Sequence, residues 1–227
     1  MLADTLSETL QHLENAAKAA HRPTPALLAV SKLQPASAVA ELARAGQRAF
    51  GENYVQEAQA KIGELAGMDL EWHLIGHLQS NKAELAAHLF DWVQTVDRHK
   101  LIGALSRYRP ADRAPLNVLV QVNIDDEASK HGCRPDEVAG LAEAIAAEPR
   151  LRLRGLMAIP APHPDTARRI DAFRRMQALQ DQLAAKHPGV DTLSMGMSED
   201  CALAVAHGAT MVRIGTALFG ARPARTA

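Results

Sequence analysis

A chain of 227 residues, 47% hydrophobic and 22% charged, has the make-up of an ordinary globular protein and excludes disordered, collagen-like and disulfide-scaffold classes. Lys and Arg number 25 against 26 Asp and Glu, a net charge of -1, so no global attraction to nucleic acid or an anionic membrane is expected, only local anion sites. Cys133 and Cys201 stand in no metal-ligand spacing, and no stretch reads as a signal peptide or bilayer span, so a cytoplasmic protein without a metal site is expected.

The chain opens on apolar residues at helical spacing (Leu6, Leu10, Leu13, Ala16, Ala17), which predict a leading helix over about Leu6 to Ala20. Short Val/Ile/Leu-rich runs then alternate with amphipathic stretches, the pattern of parallel strands joined by crossover helices. The strands are expected at Ala26 to Lys32, Ala49 to Asn53, Glu71 to His77, Trp92 to Val96, Asn117 to Asn123, Arg154 to Ile159, Thr192 to Met197 and Met211 to Gly215. Helices are expected at Pro35 to Ala45, Tyr54 to Leu65, Asn81 to Leu89, Arg98 to Arg107, Pro135 to Ala147, Asp165 to Lys186 and Ser198 to His207. Pro35 and Pro135 suit a first helical turn, and Asp165 and Ser198 suit N-caps. Eight β/α units within this length predict an α/β fold, a single (β/α)8 TIM barrel with an extra N-terminal helix, as one domain over residues 1–227. No linker or short repeat divides it.

Such barrels work at the C-terminal ends of their strands, with phosphate often held after strands seven and eight. The first strand ends in Lys32, and alternation places it with Leu28 and Val30 on one face. An amine among apolar neighbours loses stabilisation of its charged form, and the neutral form is a nucleophile suited to a Schiff base; the bland alternative is a lysine snorkelling from a strand end. The seventh strand runs through Gly196-Met197-Ser198 into a helix, so Ser198 either helps cradle an anion or merely caps that helix. The eighth supplies Arg213-Ile214-Gly215-Thr216. Gly215 allows close backbone approach, Thr216 offers a hydroxyl, and Arg213 points inward if Val212 and Ile214 face helices. Asn53 and Tyr54 lie after the second strand, where either reads as a ligand contact at the mouth and Asn53 also as a helix cap. His73 and His77 are four apart, but on a strand that is roughly 13 Å, too far for one shared ion. The Arg168-Arg169 and Arg174-Arg175 pairs read as a solvated helix face. Nucleotide-binding and acyl-transfer motifs are missing, so what remains is an imine-capable lysine opposite an anion cradle, a combination that fits a phosphorylated aldehyde.

Six ordered motifs carry a resemblance: Ala29-Val30-Ser31-Lys32, Phe50-Gly51-Glu52-Asn53-Tyr54, His73 through Lys82, Arg154-Gly155-Leu156-Met157, Gly196-Met197-Ser198 and Met211 through Thr216. From about residue 5 to Arg222 the chain resembles the pyridoxal phosphate homeostasis protein family. The resemblance implies the barrel of fold type III pyridoxal phosphate enzymes, similar to the N-terminal domain of alanine racemase, and binding of pyridoxal 5'-phosphate. It implies that Lys32 forms the Schiff base, that Ser198, Gly215 and Thr216 hold the phosphate, that Arg213 faces the pyridine nitrogen and that Asn53 lies near the ring. An arginine there disfavours protonation of that nitrogen and weakens the ring as an electron sink.

The implied function is carriage or buffering of pyridoxal phosphate in vitamin B6 homeostasis without catalytic turnover, so no residue is assigned a catalytic role. Apo forms of enzymes that use the cofactor are the expected recipients, and a monomer is the expected state. The alternative is a small fold type III pyridoxal phosphate-dependent amino-acid racemase. Racemisation needs a base on each face of the cofactor, and the racemases take one from an added C-terminal domain, whereas this chain ends about eleven residues after Thr216. An aldolase-like barrel with Lys32 acting on a sugar phosphate ranks last, because such enzymes place their lysine on a later strand.

Overall fold

The computed structural model describes residues 1–127, 130–161 and 163–220; Arg222, where the resemblance ends, lies outside the described residues. Helix α1 (Leu2–Ala19) precedes eight parallel strands: β1 (Ala26–Val30), β2 (Ala49–Glu52), β3 (Glu71–Leu74), β4 (Trp92–Val96), β5 (Leu116–Val122), β6 (Leu151–Ala158), β7 (Thr192–Ser194) and β8 (Met211–Ile214). Each pairs with the next, and β8 closes on β1 through Ala26 opposite Met211 and Leu28 opposite Arg213. Between them run α2 (Ala36–Arg44), α3 (Val55–Glu64), α4 (Ala83–Leu89), α5 (His99–Tyr108), α6 (Val138–Ala146), α7 (Thr166–Lys186) and α8 (Cys201–Ala206), and a short α9 (Thr216–Phe219) follows β8. The fold is the (β/α)8 barrel expected, with its extra N-terminal helix. Among the described residues no helix is long and apolar enough to cross a membrane.

Several boundaries differ from expectation, each for a local reason. Helix α1 begins at Leu2 because the N-terminal ammonium bonds Asp4 at 3.1 Å and so supplies the start. Pro35 is the N-cap of α2, extended at ψ 155°, and not a first-turn residue. Pro135 opens a 3-10 turn (Pro135–Glu137) ahead of α6. Asp165 caps α7 as expected, its Oδ1 accepting from the Ala167 amide at 2.8 Å. Ser198 does not cap α8, which starts at Cys201 behind a turn with Asp200 as N-cap; the Met197 amide donates to Asp200 Oδ1 at 2.7 Å. Every strand but β4 stops one to three residues short of its expected end because the chain leaves the ladder at the barrel mouth.

The main core lies between strands and helices and includes Phe50, Phe90, Phe173, Leu101 and Leu105, all fully buried. Removing such a side chain to Ala costs about 3–5 kcal/mol for Phe. Strand β6 has Leu151, Leu153, Leu156 and Ala158 all in this outer core, which strict alternation cannot give. A bulge resolves it: Leu153 pairs with Val118 and Gly155 with Leu119, so Arg154 is the extra residue and the parity shifts. The bulge starts β6 three residues before the expected Arg154. Gly155 holds φ +141°, and a β-carbon there would overlap the Thr192 carbonyl. Gly155→Ala is expected to lose at least about 1–3 kcal/mol of stability, measured by denaturant unfolding, because both strain and overlap must be relieved.

Inside the barrel the apolar residues form two small groups, Leu28 with Ile75 and Met211, and Trp92 with Leu119 and Met157. Buried polar side chains, His73, Gln94, Ser194 and Arg213 among them, share the interior with them.

Candidate functional site

The turn after β1 presents Lys32. The Ser31 amide continues the ladder by donating to the Gly51 carbonyl at 3.0 Å, and the Gln34 amide closes the turn on the Ser31 carbonyl at 3.0 Å. Leu33 takes a left-handed φ of 63°, which ends the strand before Lys32 and redirects the chain into α2. That conformation is held from beneath by a second lysine. The Lys61 ammonium, buried in α3, donates to the Ser31 carbonyl at 2.6 Å and to Glu52 Oε1 and Glu57 Oε1 at 2.7 Å each. Glu52 also accepts from the Ser31 hydroxyl at 2.6 Å, and Glu57 from the Leu33 amide at 2.5 Å. All three lysine hydrogens are used. Burial raises the Glu52 carboxyl above its ordinary value against the opposing pull of Lys61, and its Oε2 has no hydrogen-bond partner among the described residues.

Lys32, half buried, lines a cavity of about 190 Å³ at the C-terminal mouth together with Asn53, Ser198, Arg213, Gly215 and Thr216. All six residues singled out in the sequence therefore border one space. Tyr54 lies on a neighbouring hollow with His77 and Gln79. Sequence reasoning missed Ile75 and Ile159, which supply apolar wall on the same cavity. Their signal was position, one residue beyond the ends of β3 and β6. Ile159 and Met197 line the cavity and are exposed, giving its mouth an apolar rim.

Arg213 points inward because Val212 and Ile214 pack outward in the main core. Its guanidinium donates to Ser194 Oγ and to the Ala158 carbonyl, both at 2.8 Å, so protein acceptors take two of its donors. Burial pulls it down to about 10, with Asp200 opposing, so it stays cationic at neutral pH. Gly215 begins the last turn, and a β-carbon there would press to 3.3 Å from both Val30 Cβ and its carbonyl. Ser198 and Thr216 stand exposed at the rim, and among the described residues neither hydroxyl is engaged in a hydrogen bond. With α8 starting at Cys201, the Ser198 hydroxyl is not spent on a cap. An amine, a guanidinium, two hydroxyls and a close backbone turn form a donor set suited to an aldehyde with an anionic tail.

His73 and His77 point to different places. His73 is inside the barrel, stacked on Trp92 at 5.1 Å, whereas His77 stacks on His131 at 3.8 Å near Asp97. The ligand atoms of His77, Asp97 and His131 lie within 4.8 Å of one another, with the two imidazole rings stacked 15° from parallel. The Cys133 thiol is pushed up to about 12 by burial and the Cys201 thiol is raised by the same cause, so neither is a ready nucleophile.

Burial holds the His73 imidazole below its ordinary value, against its bond to Glu71. The unfolded chain accepts a proton below about 6.5 that the folded protein resists, so the unfolded state binds more protons in that range. Stability is expected to fall by up to about 1.4 kcal/mol per pH unit as pH drops below about 6.5. Unfolding curves of His73→Gln over the same range should lose that component.

The barrel, its mouth-facing lysine and its turn-borne donors define a class: residues 5–223 match the family model described as alanine racemase, N-terminal domain. The curated relatives narrow it. The pyridoxal phosphate homeostasis protein of Escherichia coli (strain K12) is 56% identical over 199 residues, covering 86% of this chain and 85% of that protein. The protein of that name from Haemophilus influenzae is 54% identical over 218 residues, covering 93% and 92%. This chain belongs to the pyridoxal phosphate homeostasis protein family. Among solved structures, PipY of Synechococcus elongatus with PLP bound is 38% identical, with a TM-score of 0.84, covering 97% of this chain and 100% of that one.

Proposed function

We propose that this chain binds pyridoxal 5'-phosphate at the barrel mouth and carries it, held through a Schiff base on Lys32, for delivery to apo-enzymes without turnover of its own. The observation that carries the reading is the meeting of Lys32 with Asn53, Ser198, Arg213, Gly215 and Thr216 around one cavity. Lys32 attacks the aldehyde carbon as the neutral amine: a C=N bond replaces C=O, and the aldehyde oxygen leaves as water with the two amine hydrogens. Ser198, Gly215 and Thr216 hold the phosphate with hydroxyl and backbone donors, Arg213 donates toward the pyridine nitrogen, and Asn53 flanks the ring. When bound, the cofactor supplies a reactive aldehyde and an electron-accepting ring, and a cationic Arg213 opposes protonation of the ring nitrogen and limits the second property.

Support comes from the names of the curated relatives and from the PLP-bound PipY structure. The titratable groups among the described lining residues are Lys32 and Arg213, whereas racemisation calls for a base on each face. Transfer to an apo-enzyme and racemisation of common amino acids, assayed side by side, separate the alternatives. Transfer without racemisation is expected; robust turnover would overturn the carrier reading.

A further inference from the structure

Arg213 is the upper end of a hydrogen-bonded chain that crosses the barrel interior. Its Nη1 donates to Ser194 Oγ at 2.8 Å, Ser194 Oγ to Gln94 Oε1 at 2.7 Å, Gln94 Nε2 to His73 Nδ1 at 2.9 Å, and His73 Nε2 to Glu71 Oε1 at 2.8 Å. The direction of every link follows from one fact: a guanidinium only donates. Ser194 must accept from it, so its own hydrogen goes to the Gln94 carbonyl oxygen. That fixes the amide, whose nitrogen then donates to His73 Nδ1 and, at 3.2 Å, to Met211 Sδ. His73 must therefore carry its proton on Nε2 and give it to Glu71, a side chain 46% exposed at the opposite end of the barrel. A flipped amide would set two donors against one serine oxygen and leave the serine hydrogen without its acceptor. His73, Gln94 and Ser194 are fully buried, so such a mismatch has no water to relieve it.

We propose that Ser194, Gln94 and His73 are positioning residues that hold the Arg213 guanidinium in one orientation beneath the ligand through a one-way hydrogen-bonded chain anchored on Glu71. The claim rests on the proposed function only where it concerns the cofactor; the fixing of Arg213 stands apart from it. The chain touches both interior apolar groups, at Met211 and at Trp92, which stacks on His73 at 5.1 Å. Charges facing it are Glu71, Asp91 and Arg154 at the lower end and Asp200 at the upper. Links in such a low-dielectric chain polarise one another, so cutting any of them loosens the donor at the top.

Two measurements on Ser194→Ala and Gln94→Leu test this. In the unloaded protein, exchange of the Arg213 guanidinium hydrogens with water, followed by NMR, should accelerate by about tenfold or more in both variants, while amide exchange in the outer core is unchanged. After loading with pyridoxal phosphate, both variants should still gain the cofactor's mass on borohydride reduction, yet the midpoint of the visible absorption titration should move by about half a pH unit or more. Unchanged arginine exchange in both variants overturns the positioning claim. Faster exchange with a wild-type titration confines the chain to apo-protein stability and overturns its role toward the ligand. A wild-type protein that takes up no cofactor sinks the proposed function, and the exchange measurement still decides whether the chain holds Arg213. Ser194→Ala removes a single hydroxyl, so it reports even if Gln94→Leu fails to fold.

Discussion

Lys32→Ala is expected to abolish covalent attachment of pyridoxal phosphate and to weaken its retention by about 10²- to 10⁴-fold, leaving a residual, reversible affinity. The reason is geometric. Lys32 lies on the turn after β1, and Ser198, Gly215 and Thr216 on the turns after β7 and β8, yet all border one cavity. Two attachments joined by a rigid ligand act as a linked pair, and losing one converts an intramolecular contact into an ordinary binding event. Equilibrium dialysis reads the residual affinity and mass spectrometry after borohydride reads the covalent part. The converse variants, Ser198→Ala with Thr216→Val, should keep the mass gain while releasing the cofactor faster. If Lys32→Ala bound as tightly as wild type, the imine would contribute nothing. If its binding vanished while the fold survived, the cradle would contribute nothing.

Lys61→Met should be the most destabilising substitution near the site, costing about 3–5 kcal/mol, a drop in Tm on the order of 10 °C for a chain of this size. Lys61 and Glu52 are 7% and 0% exposed, and deleting the cation leaves the carboxylate buried without its counter-charge. The same change frees the Ser31 carbonyl and Glu57, which holds the left-handed Leu33 amide, so the turn bearing Lys32 loses its support. The pH dependence identifies the cause. Burial already raises Glu52, and removing Lys61 raises it further, so the folded variant favours the protonated acid. An acid whose folded pKa lies above its unfolded value destabilises fully above the folded pKa, and the penalty fades as pH falls toward the unfolded value of about 4.5. Unfolding at pH 7 and at pH 5 should therefore show a smaller deficit at the lower pH. A deficit independent of pH would assign the loss to packing. Replacing both partners, Glu52→Gln with Lys61→Met, should recover part of the stability, because no charge is then stranded.

The barrel was legible because each strand is a short apolar run between amphipathic helices, and strand ends are where side chains reach the mouth. That logic brought Lys32, Ser198, Arg213, Gly215 and Thr216 to attention, and they border one cavity with Asn53. Boundaries were less legible where tertiary geometry governs. Leu33 in a left-handed conformation cuts β1 short, and Leu151-Arg152-Leu153 joins β6 only because a bulge at Arg154 resets the parity. Ser198 reads as a helix cap in sequence, yet a turn intervenes before α8. The interior chain was illegible because its members come from β3, β4, β7 and β8, strands far apart in sequence that only closure of the barrel brings together. The available signal was the inward register: Gln94 and Ser194 interrupt Trp-Val-Gln-Thr-Val and Thr-Leu-Ser at positions that face the interior. The Lys61 support was hidden for a related reason, since a lysine on an amphipathic helix ordinarily reads as solvated.

The most direct test is to incubate the purified protein with pyridoxal phosphate, reduce with borohydride, digest, and map the added mass. Modification of Lys32 in near-stoichiometric yield, with Lys61 untouched, is the expected result. Mass distributed over surface lysines, or absent from the Lys32 peptide while the protein remains folded, would contradict the assignment of the barrel mouth as the cofactor site.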